Sequence, residues 1–476
     1  MPINKKTKIL ATLGPASASK DIIREMMIAG VDVFRINFSH ADYDDVKQRI
    51  TYIRELNDEL KRHTAILADL QGPKLRVGKM EDGVMLNPGD QITFVTGDAF
   101  VGNKDRVYMN YTQFPKDVKP GEKILLDDGK LIFEVVETNR SNEVSTKVLQ
   151  GGVLKSNKGV NLPNTAISLP ALTEKDIKDA IFAIGQNVDW IALSFVRHAK
   201  DIDDLRQLID QHASQRIPII SKVEKPEAIT NMKEIVMNSD AIMVARGDLG
   251  VEVPAEEVPL LQKQLVNMSK AYNKPVVIAT QMMETMMDSL TPTRAEVNDV
   301  GNSVMDGADA VMLSGETSVG QYPVEVVAKM ASIIKAVEES PMISVPDSMQ
   351  VDQKDRFITN KICQQASELA NDLGAKVICT LTNSGYTAFQ ISARRPNSFI
   401  LVFTDNKTIL GRLNLLWGVY ACYYDKMVST DETVEDVIQY AKDNHMLKAG
   451  DMTVSLSSMP IKARGMVNTL RVTRCE

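Results

Sequence analysis

The chain has 476 residues, of which 44% are hydrophobic and 25% are charged, and its formal net charge at pH 7 is −7. This composition is typical of a globular protein and excludes a disordered or fibrous chain. The negative charge argues against bulk binding to nucleic acid or to an anionic membrane surface. A locally basic cleft can still bind small anionic metabolites.

Neither export nor a membrane span is indicated. No apolar segment approaches about 20 uninterrupted residues, and the N-terminus runs into the first predicted strand without a signal-peptide core. The four cysteines, Cys363, Cys379, Cys422 and Cys475, are widely spaced and suggest neither a disulfide framework nor a Cys-x-x-Cys metal pair. We therefore expect a soluble cytoplasmic protein that binds neither nucleic acid nor membranes.

The first two thirds of the chain contain eight short apolar runs that end abruptly in polar or charged residues. The runs are Lys8 to Thr12, Val31 to Ser39, Thr64 to Asp69, Val188 to Ser194, Ile217 to Glu224, Ala241 to Asp248, Pro275 to Thr280 and Ala308 to Glu316. Such runs are typical of parallel strands buried on both faces, and eight strand-helix units close a (β/α)8 TIM barrel. Because reactive groups converge at the C-terminal rim of these barrels, the pattern predicts an enzyme site there.

The spacing between the third and fourth strands is too long for a single crossover helix. It contains short alternating runs separated by turn sequences such as Asn87-Pro88-Gly89-Asp90. We predict that residues 73–169 form an inserted small β-barrel, which closes over the rim as a lid with hinges at Gly72-Pro73 and Leu169-Pro170. The TIM barrel then comprises residues 1–72 and 170–345, and residues 346–476 form a C-terminal α/β domain.

Charged and polar residues share faces at two predicted strand ends. Because residues two apart on a strand lie on one face, Arg35, Asn37 and Ser39 are expected to project together, as are Lys222 and Glu224. The ordinary alternative for Lys222 and Glu224 is a strand-end ion pair of little energetic value.

Glu224 and Asp248 lie at the ends of neighbouring predicted strands. Two carboxylates can hold Mg²⁺ through oxygen while substrate and water fill the remaining positions. Together with such an ion, Lys222, Arg35 and Arg76 would suit a phosphoryl group in a charge-dispersed transition state.

Three further features bear on the predicted site. The segment Gly247-Asp248-Leu249-Gly250 can offer backbone N–H groups to a substrate carboxylate ahead of a short helix, and Thr280 adds a hydroxyl. No Gly-x-x-x-x-Gly-Lys-Ser/Thr loop occurs, so a nucleotide would not be held as in P-loop enzymes. His40 is either a nucleotide contact or a solvated loop histidine.

Seven segments follow one another along the chain. They are Arg35-Ile36-Asn37-Phe38-Ser39-His40, Asp69-Leu70-Gln71-Gly72-Pro73-Lys74, Lys158-Gly159-Val160-Asn161-Leu162-Pro163, Ser221-Lys222-Val223-Glu224, Met243-Val244-Ala245-Arg246-Gly247-Asp248-Leu249-Gly250, Ala279-Thr280-Gln281-Met282 and Leu313-Ser314-Gly315-Glu316-Thr317. Each resembles a signature of the pyruvate kinase family, and they occur in the order of that family. The resemblance spans essentially the whole chain. It implies phosphoryl transfer from phosphoenolpyruvate to ADP, giving pyruvate and ATP, by a homotetramer with an effector-type C-terminal domain.

The resemblance also implies roles for individual residues. It makes Glu224 and Asp248 the ligands of Mg²⁺ or Mn²⁺, and Lys222 the cation that stabilises the transferring phosphoryl group. It implies that the catalytic residues include Arg35, Arg76 and Thr280 beside Lys222, that Ala245, Arg246 and Gly247 join Arg35, Lys222, Asp248 and Thr280 in binding substrate, and that Asn37, His40, Arg76 and Lys158 bind the nucleotide.

One departure concerns the monovalent cation. Asn37, Ser39 and Asp69 match the potassium ligands of the family, but Leu70 and Lys74 stand where better-known potassium-dependent members have Thr and Glu. An ammonium near that pocket can replace the cation electrostatically, so we predict activity without added K⁺. The alternative is that Lys74 points to solvent.

The C-terminal domain contains a second candidate site. Thr382-Asn383-Ser384-Gly385-Tyr386-Thr387 follows a predicted strand and precedes a helix, a geometry suited to phosphate, and it resembles the family's effector loop. The residues expected to hold a phosphorylated effector are Thr382, Asn383, Ser384, Gly385 and Thr387. Residues 462–469 lie where the family has a loop that closes over the effector. A simple structural loop is the alternative.

Two other functions fit the same barrel. In a keto-acid lyase or aldolase, Lys222 would form a Schiff base with the substrate. In a non-catalytic metabolite sensor, only the C-terminal phosphate loop would be used.

Overall fold

The structure is a computed structural model that describes residues 5–163, 165–341, 356–426, 430–459 and 466–476, apart from the side chains of His40, Thr430 and Asp431. The predicted domain boundary at residue 345 and most of the segment 462–469 lie outside these residues. The strands are β1 (Lys8–Thr12), β2 (Val33–Asn37), β3 (Ala65–Asp69), β4 (Met85–Leu86), β5 (Gln91–Val95), β6 (Arg106–Tyr108), β7 (Lys123–Leu126), β8 (Leu131–Thr138), β9 (Glu143–Gln150), β10 (Gly152–Val153), β11 (Val160–Asn161), β12 (Trp190–Leu193), β13 (Ile219–Val223), β14 (Ala241–Ala245), β15 (Val276–Ala279), β16 (Ala310–Leu313), β17 (Val377–Leu381), β18 (Phe399–Thr404), β19 (Val419–Tyr423), β20 (Met452–Ser457) and β21 (Thr469–Arg474).

Most helices surround the strands of the barrel or flank the C-terminal sheet, and α3 lies in the insertion between the third and fourth barrel strands. They are α1 (Lys20–Ala29), α2 (Tyr43–Leu60), α3 (Phe114–Asp117), α4 (Glu174–Gly185), α5 (Ala199–His212), α6 (Pro226–Thr230), α7 (Met232–Asn238), α8 (Arg246–Glu252), α9 (Val258–Ala271), α10 (Arg294–Asp306), α11 (Gly315–Ser318), α12 (Pro323–Glu338), α13 (Phe357–Asp372), α14 (Tyr386–Ala393), α15 (Lys407–Leu413) and α16 (Thr430–Asp443). Among the described residues, none of these helices is long and apolar enough to cross a membrane.

Eight parallel strands close into a barrel in the order β1-β16-β15-β14-β13-β12-β3-β2. All eight predicted strands are present, and the predicted TIM barrel is confirmed. Their side chains are buried because they face either the barrel interior or the surrounding helices, which explains the continuous apolar runs. The barrel therefore presents the ends of eight strands at one rim.

Three strand ends fall two or more residues short of the prediction. One is β16, which ends at Leu313 instead of Glu316 because α11 begins at Gly315. The run Ala241 to Asp248 was expected to be one strand, but the strand ends at Ala245 and α8 begins at Arg246. The apolar residues end at Ala245, and Gly247 then packs so closely on Thr280 that a Cβ at this position would lie 3.2 Å from its hydroxyl oxygen. The glycines of the predicted anion-binding segment thus lie inside the helix rather than ahead of it. Ser39 likewise lies in a 3-10 turn after β2.

The inserted lid is a curled sheet around its own apolar core. Six strands pair in the order β11-β7-β8-β9-β5-β6, and β4 pairs with β10. Both edges of the larger sheet meet one short segment, because Arg76 forms a bridge with Gly159 beside β11 and Val77 forms one with Met109 beside β6. These bridges bring the sheet towards the closed form expected of a small β-barrel.

The C-terminal domain is a five-stranded sheet in the order β19-β18-β17-β20-β21, parallel except for β21. It covers the end of the barrel opposite the catalytic rim. Leu415 packs into the apolar cluster inside the barrel, and the Trp190 indole donates to the Arg412 carbonyl at 3.2 Å. An ion pair of 2.8 Å joins Arg395 to Asp309 across the same interface.

Candidate active site

Four charged side chains form a continuous network at the C-terminal rim. Arg35 on β2 binds Asp69 at the end of β3, with 2.5 Å between Nε and Oδ2. The Lys222 ammonium on β13 lies 3.3 Å from the other Asp69 oxygen and 2.9 Å from Glu224 Oε1. Two cations and two carboxylates from the ends of β2, β3 and β13 therefore converge across the rim, as the alternation along β2 and β13 predicts.

Burial sets the electrostatics of this network, since Asp69 and Glu224 are each 1% exposed. Burial would raise the pKa of Asp69, but the charges of Lys222 and Arg35 outweigh it and hold that pKa below its ordinary value. Burial likewise acts to lower the pKa of Lys222, and the Asp69 and Glu224 carboxylates overcome it and raise that pKa. The ammonium is therefore permanently charged at neutral pH.

The surroundings of Glu224 disfavour its charged form. Burial raises its pKa, and the charge of Asp248 adds to the rise, whereas Lys222 opposes it. Its second oxygen accepts the Phe195 amide at 2.7 Å. A divalent cation would relieve the repulsion between Glu224 and Asp248, so this donor pair fits Mg²⁺ or Mn²⁺. No third His, Cys, Asp or Glu joins them among the described residues, so substrate and water would supply the other ligands.

Thr280 is held in a strained conformation beside α8. Its φ is +71°, a region that β-branched residues rarely occupy and that clusters at functional sites. The Thr280 hydroxyl accepts the Gly247 amide at 2.7 Å and donates to the Ala279 carbonyl at 2.6 Å. The Gly247 N–H, one of the groups predicted to bind a substrate carboxylate, thus already donates to the Thr280 hydroxyl.

Arg246 fixes the same loop. Its guanidinium forms a two-pronged ion pair with Asp299, with both distances 2.7 Å, and donates to the Thr280 carbonyl at 2.7 Å. The Arg246 side chain therefore orients the strained peptide, and substrate contact by this residue stays a prediction.

The residues predicted for a monovalent cation lie at and just after the ends of β2 and β3, where Asn37 pairs with Asp69 in the strand register. The Asn37 side chain is exposed and accepts the Ser39 amide at 3.0 Å, and Leu70 is buried beside Asp69. Lys74 is exposed on the lid side, and its ammonium has no hydrogen-bond partner within the described parts of the chain. The contacts of the described residues therefore do not decide whether the Lys74 ammonium points towards the pocket or towards solvent.

The lid carries the other predicted cations. The Arg76 guanidinium donates to the Asn157 carbonyl at 3.1 Å, and Lys158 pairs with Asp127 at 2.8 Å. Lys158, through a hydrogen bond, lowers the pKa of Asp127. His40 belongs to the 3-10 turn after β2, and its side chain lies outside the described residues.

A cleft of about 600 Å³, including space open to solvent, separates the lid from the rim. Both domains supply its walls. The lid side comprises Pro73, Lys74, Leu75, Asp128, Gly159, Val160, Asn161 and Ile167, and the barrel side Phe195, Arg197, Lys225, Glu227 and Asp248. The lid therefore covers the side of the barrel on which Asp248 lies, as expected for a domain that excludes water.

The predicted effector loop connects β17 to α14. Gly385 has a φ of +80°, which favours glycine, and its amide donates to the Thr382 hydroxyl at 3.0 Å. Two hydrogen bonds hold the loop to its surroundings. One, of 2.8 Å, joins the Thr380 and Thr387 hydroxyls, and in the other the Asn383 side-chain amide donates to Asp405 at 3.1 Å. Ser384 lies at the exposed tip of this loop.

Comparison of the chain with known proteins identifies its family. A family model described as the barrel domain of pyruvate kinase matches residues 4–327, and one described as its alpha/beta domain matches residues 360–473. The chain belongs to the pyruvate kinase family. The prediction from the seven sequence segments is thereby confirmed, and with it the assignment as a phosphotransferase.

Individual pyruvate kinases resemble the chain along its whole length. The protein of Corynebacterium glutamicum is 42% identical over 470 residues, covering 99% of this chain and 98% of that protein. A pyruvate kinase of Mycobacterium tuberculosis is 40% identical over 472 residues, covering 99% of each. The crystal structure of a Cryptosporidium parvum pyruvate kinase superposes with a TM-score of 0.91 at 32% identity, covering 99% of this chain and 97% of that one.

Within this pyruvate kinase fold, two residues of the rim were not predicted from the sequence. The Ser194 hydroxyl, 1% exposed, accepts from the Lys222 ammonium at 2.7 Å and donates to the Leu70 carbonyl at 2.8 Å. Phe195 follows with a φ of +54° and gives its amide to Glu224. The available signal was the polar end of the run Val188 to Ser194, which was identified as a strand end only.

Proposed function

We propose that the cleft between rim and lid transfers the phosphoryl group of phosphoenolpyruvate to ADP and releases pyruvate and ATP. The observation that carries the proposal is the buried Lys222 ammonium, held between Asp69 and Glu224 at the rim of a barrel covered by a lid. Phosphoryl transfer requires positioning and charge stabilisation more than covalent chemistry, and a fixed, permanently charged ammonium provides both.

Each side of the cleft has a distinct role in this proposal. Glu224 and Asp248 would hold Mg²⁺ or Mn²⁺, which when bound neutralises charge on phosphoryl oxygens. Lys222 and Arg35 stabilise the phosphoryl group from the barrel, and Arg76 reaches it from the lid. The substrate carboxylate and enolate are bound by Ala245, Arg246, Gly247, Asp248 and Thr280, and the nucleotide by Asn37, His40, Arg76 and Lys158.

Schiff-base chemistry at Lys222 is disfavoured by its environment. A lysine that attacks a carbonyl must lose its proton, whereas two carboxylates raise the pKa of Lys222. Borohydride should therefore trap no adduct with pyruvate. Replacing Lys222→Met should abolish activity, and an unchanged rate would reopen the lyase and sensor alternatives.

We also propose that K⁺ is not required, with Lys74 in its place. Lys74 is exposed and lies on the cleft, so its side chain can swing towards the pocket of Asn37, Ser39, Asp69 and Leu70. A lactate-dehydrogenase-coupled assay with phosphoenolpyruvate, ADP and Mg²⁺ tests this, provided that the coupling enzyme tolerates K⁺-free buffer. Equal rates with and without KCl support the proposal. Activity only with KCl keeps the kinase and removes the role of Lys74.

The remaining parts of the proposal concern regulation and assembly. A phosphorylated effector would bind Thr382, Asn383, Ser384, Gly385 and Thr387, and titration with sugar phosphates and AMP tests it. A homotetramer is supported by β21, an edge strand of the described sheet that leaves backbone groups for another copy, and light scattering measures it. The buried free thiols are consistent with a cytoplasmic protein, and the proposed domain boundaries are those predicted above.

A further inference from the structure

Helix α8 joins the proposed cation site to a buried ion pair. Asp248 lies in its first turn, and Glu252, one turn later, is 4% exposed. Lys225, which directly follows Glu224, places its ammonium 2.5 Å from Glu252 Oε1. Both members of this ion pair therefore belong to the same two segments as the proposed ligands.

The lid contacts this ion pair directly. The Asn161 side chain of β11 donates to Glu252 Oε1 at 2.9 Å. Asn161 lies three residues after Lys158, and Gly159 between them forms the bridge with Arg76. The contact thus holds to the barrel the part of the lid that carries both predicted nucleotide-binding cations.

Barrel stability alone does not explain this arrangement. Glu252 Oε2 is buried and has no hydrogen-bond partner among the described residues, and Lys225 is only 6% exposed. A buried ion pair with an unsatisfied oxygen costs desolvation, and apolar side chains of similar size often serve stability as well or better. The charge of Glu252 is better explained by the strength that it gives to the hydrogen bond from Asn161.

We propose that Glu252 is a positioning residue that holds Asn161, and with it the lid, over the cleft, and that this contact is coupled to divalent-cation binding. The inference rests on the cation site proposed at Glu224 and Asp248. A cation that fixes these two ligands also fixes Lys225 and Glu252, because they are neighbours on one loop and one helix. By thermodynamic linkage, if the bound cation raises the equilibrium constant for forming the lid contact by some factor, the lid contact raises the affinity for the cation by the same factor.

The test removes the lid side of the contact and leaves the barrel intact. Asn161→Ala is compared with Gln150→Ala, which removes a side-chain hydrogen bond to the Lys130 carbonyl on the exposed side of the lid. Amide hydrogen exchange of residues 158–162 is measured with and without Mn²⁺, and Mn²⁺ affinity is measured from the electron paramagnetic resonance of the free ion. Neither readout depends on turnover.

We expect Asn161→Ala to accelerate amide exchange in residues 158–162 roughly tenfold and to weaken Mn²⁺ binding by a similar factor, as the loss of a hydrogen bond to a charged group implies. Gln150→Ala should change neither. Unchanged exchange in Asn161→Ala would overturn the tether, and faster exchange with unchanged Mn²⁺ affinity would overturn the coupling. A wild-type protein that binds no Mn²⁺ would instead refute the proposed cation site, and exchange in the metal-free protein would still decide the tether.

Discussion

Replacing Ser194→Ala should slow turnover by loosening Lys222. The Ser194 hydroxyl receives a hydrogen bond from the ammonium at 2.7 Å and is 1% exposed, so no solvent molecule competes for it. Asp69 and Glu224 still hold the charge after the substitution, so the ammonium stays protonated but loses one of three contacts that fix its position. We therefore expect the effect in kcat rather than in the pH dependence.

The magnitude follows from the contact that is lost. A hydrogen bond to a charged group contributes about 1.5–3 kcal/mol, and about 1.4 kcal/mol of activation free energy is tenfold in rate. Full loss of the contact would slow the reaction about 10- to 100-fold, and the two remaining carboxylates place the expectation near the lower end. The Leu70 carbonyl also loses its donor, which should lower the free energy of unfolding by about 1–3 kcal/mol.

The coupled assay gives kcat and the KM for phosphoenolpyruvate, and thermal unfolding gives stability. Ser221→Ala is the matched control, because Ser221 is fully buried and its hydroxyl contacts Ser239 at 2.6 Å, one residue before Lys222 and on the opposite strand face. It should lose stability without a comparable loss of kcat. Ser194→Thr, which keeps the hydroxyl, should restore most of the rate. Equal kcat values in Ser194→Ala and the wild type would refute the positioning role.

Three further predictions concern the loops and the barrel floor. Thr280→Val removes the acceptor of the Gly247 amide. One lost hydrogen bond costs about 1–3 kcal/mol, so kcat should fall about 5- to 100-fold in the coupled assay, while Thr280→Ser stays near wild type. Asp299→Asn weakens the two-pronged contact with Arg246 and should raise the KM for phosphoenolpyruvate with little change in melting temperature; an unchanged KM would contradict it. Burial raises the pKa of Asp189 to about 6, above its value in the unfolded chain. The folded state therefore binds the extra proton, and this contribution to stability is present below pH 4 or so and is lost as the pH rises through about 6. Melting temperatures of Asp189→Asn at pH 5 and 7.5 should accordingly differ less than those of the wild type, and equal differences would contradict the assignment.

The strands could be predicted because burial on both faces leaves a direct trace in the sequence. β1 begins and ends at the predicted residues, and the other barrel strands begin within two residues of the predicted positions. The strand ends were predicted less well where polar residues continue the run, as at Arg246, since side-chain pattern does not encode a change of backbone direction. The contact that orients Arg246 is with Asp299, which lies 53 residues further along the chain and leaves no local trace in the sequence.

The charged residues of the site could be predicted from the sequence, but the residues that hydrogen-bond to them and hold them in place could not. Period-two alternation places Lys222 beside Glu224, and the ion pair of 2.9 Å between them follows. Ser194 and Phe195 were missed because a serine at a strand end has no distinctive spacing and because a positive φ at a phenylalanine is imposed by tertiary contacts. The orientation of Lys74 could not be predicted for the opposite reason, since an exposed side chain that no described residue contacts has no single position.

Leu415 fills the interior of the barrel from a different domain. The side chain belongs to the apolar cluster that β1, β12 and β14 build with their inward residues. Cutting the chain between the two domains would therefore expose apolar surface inside the barrel and not merely remove an appendage.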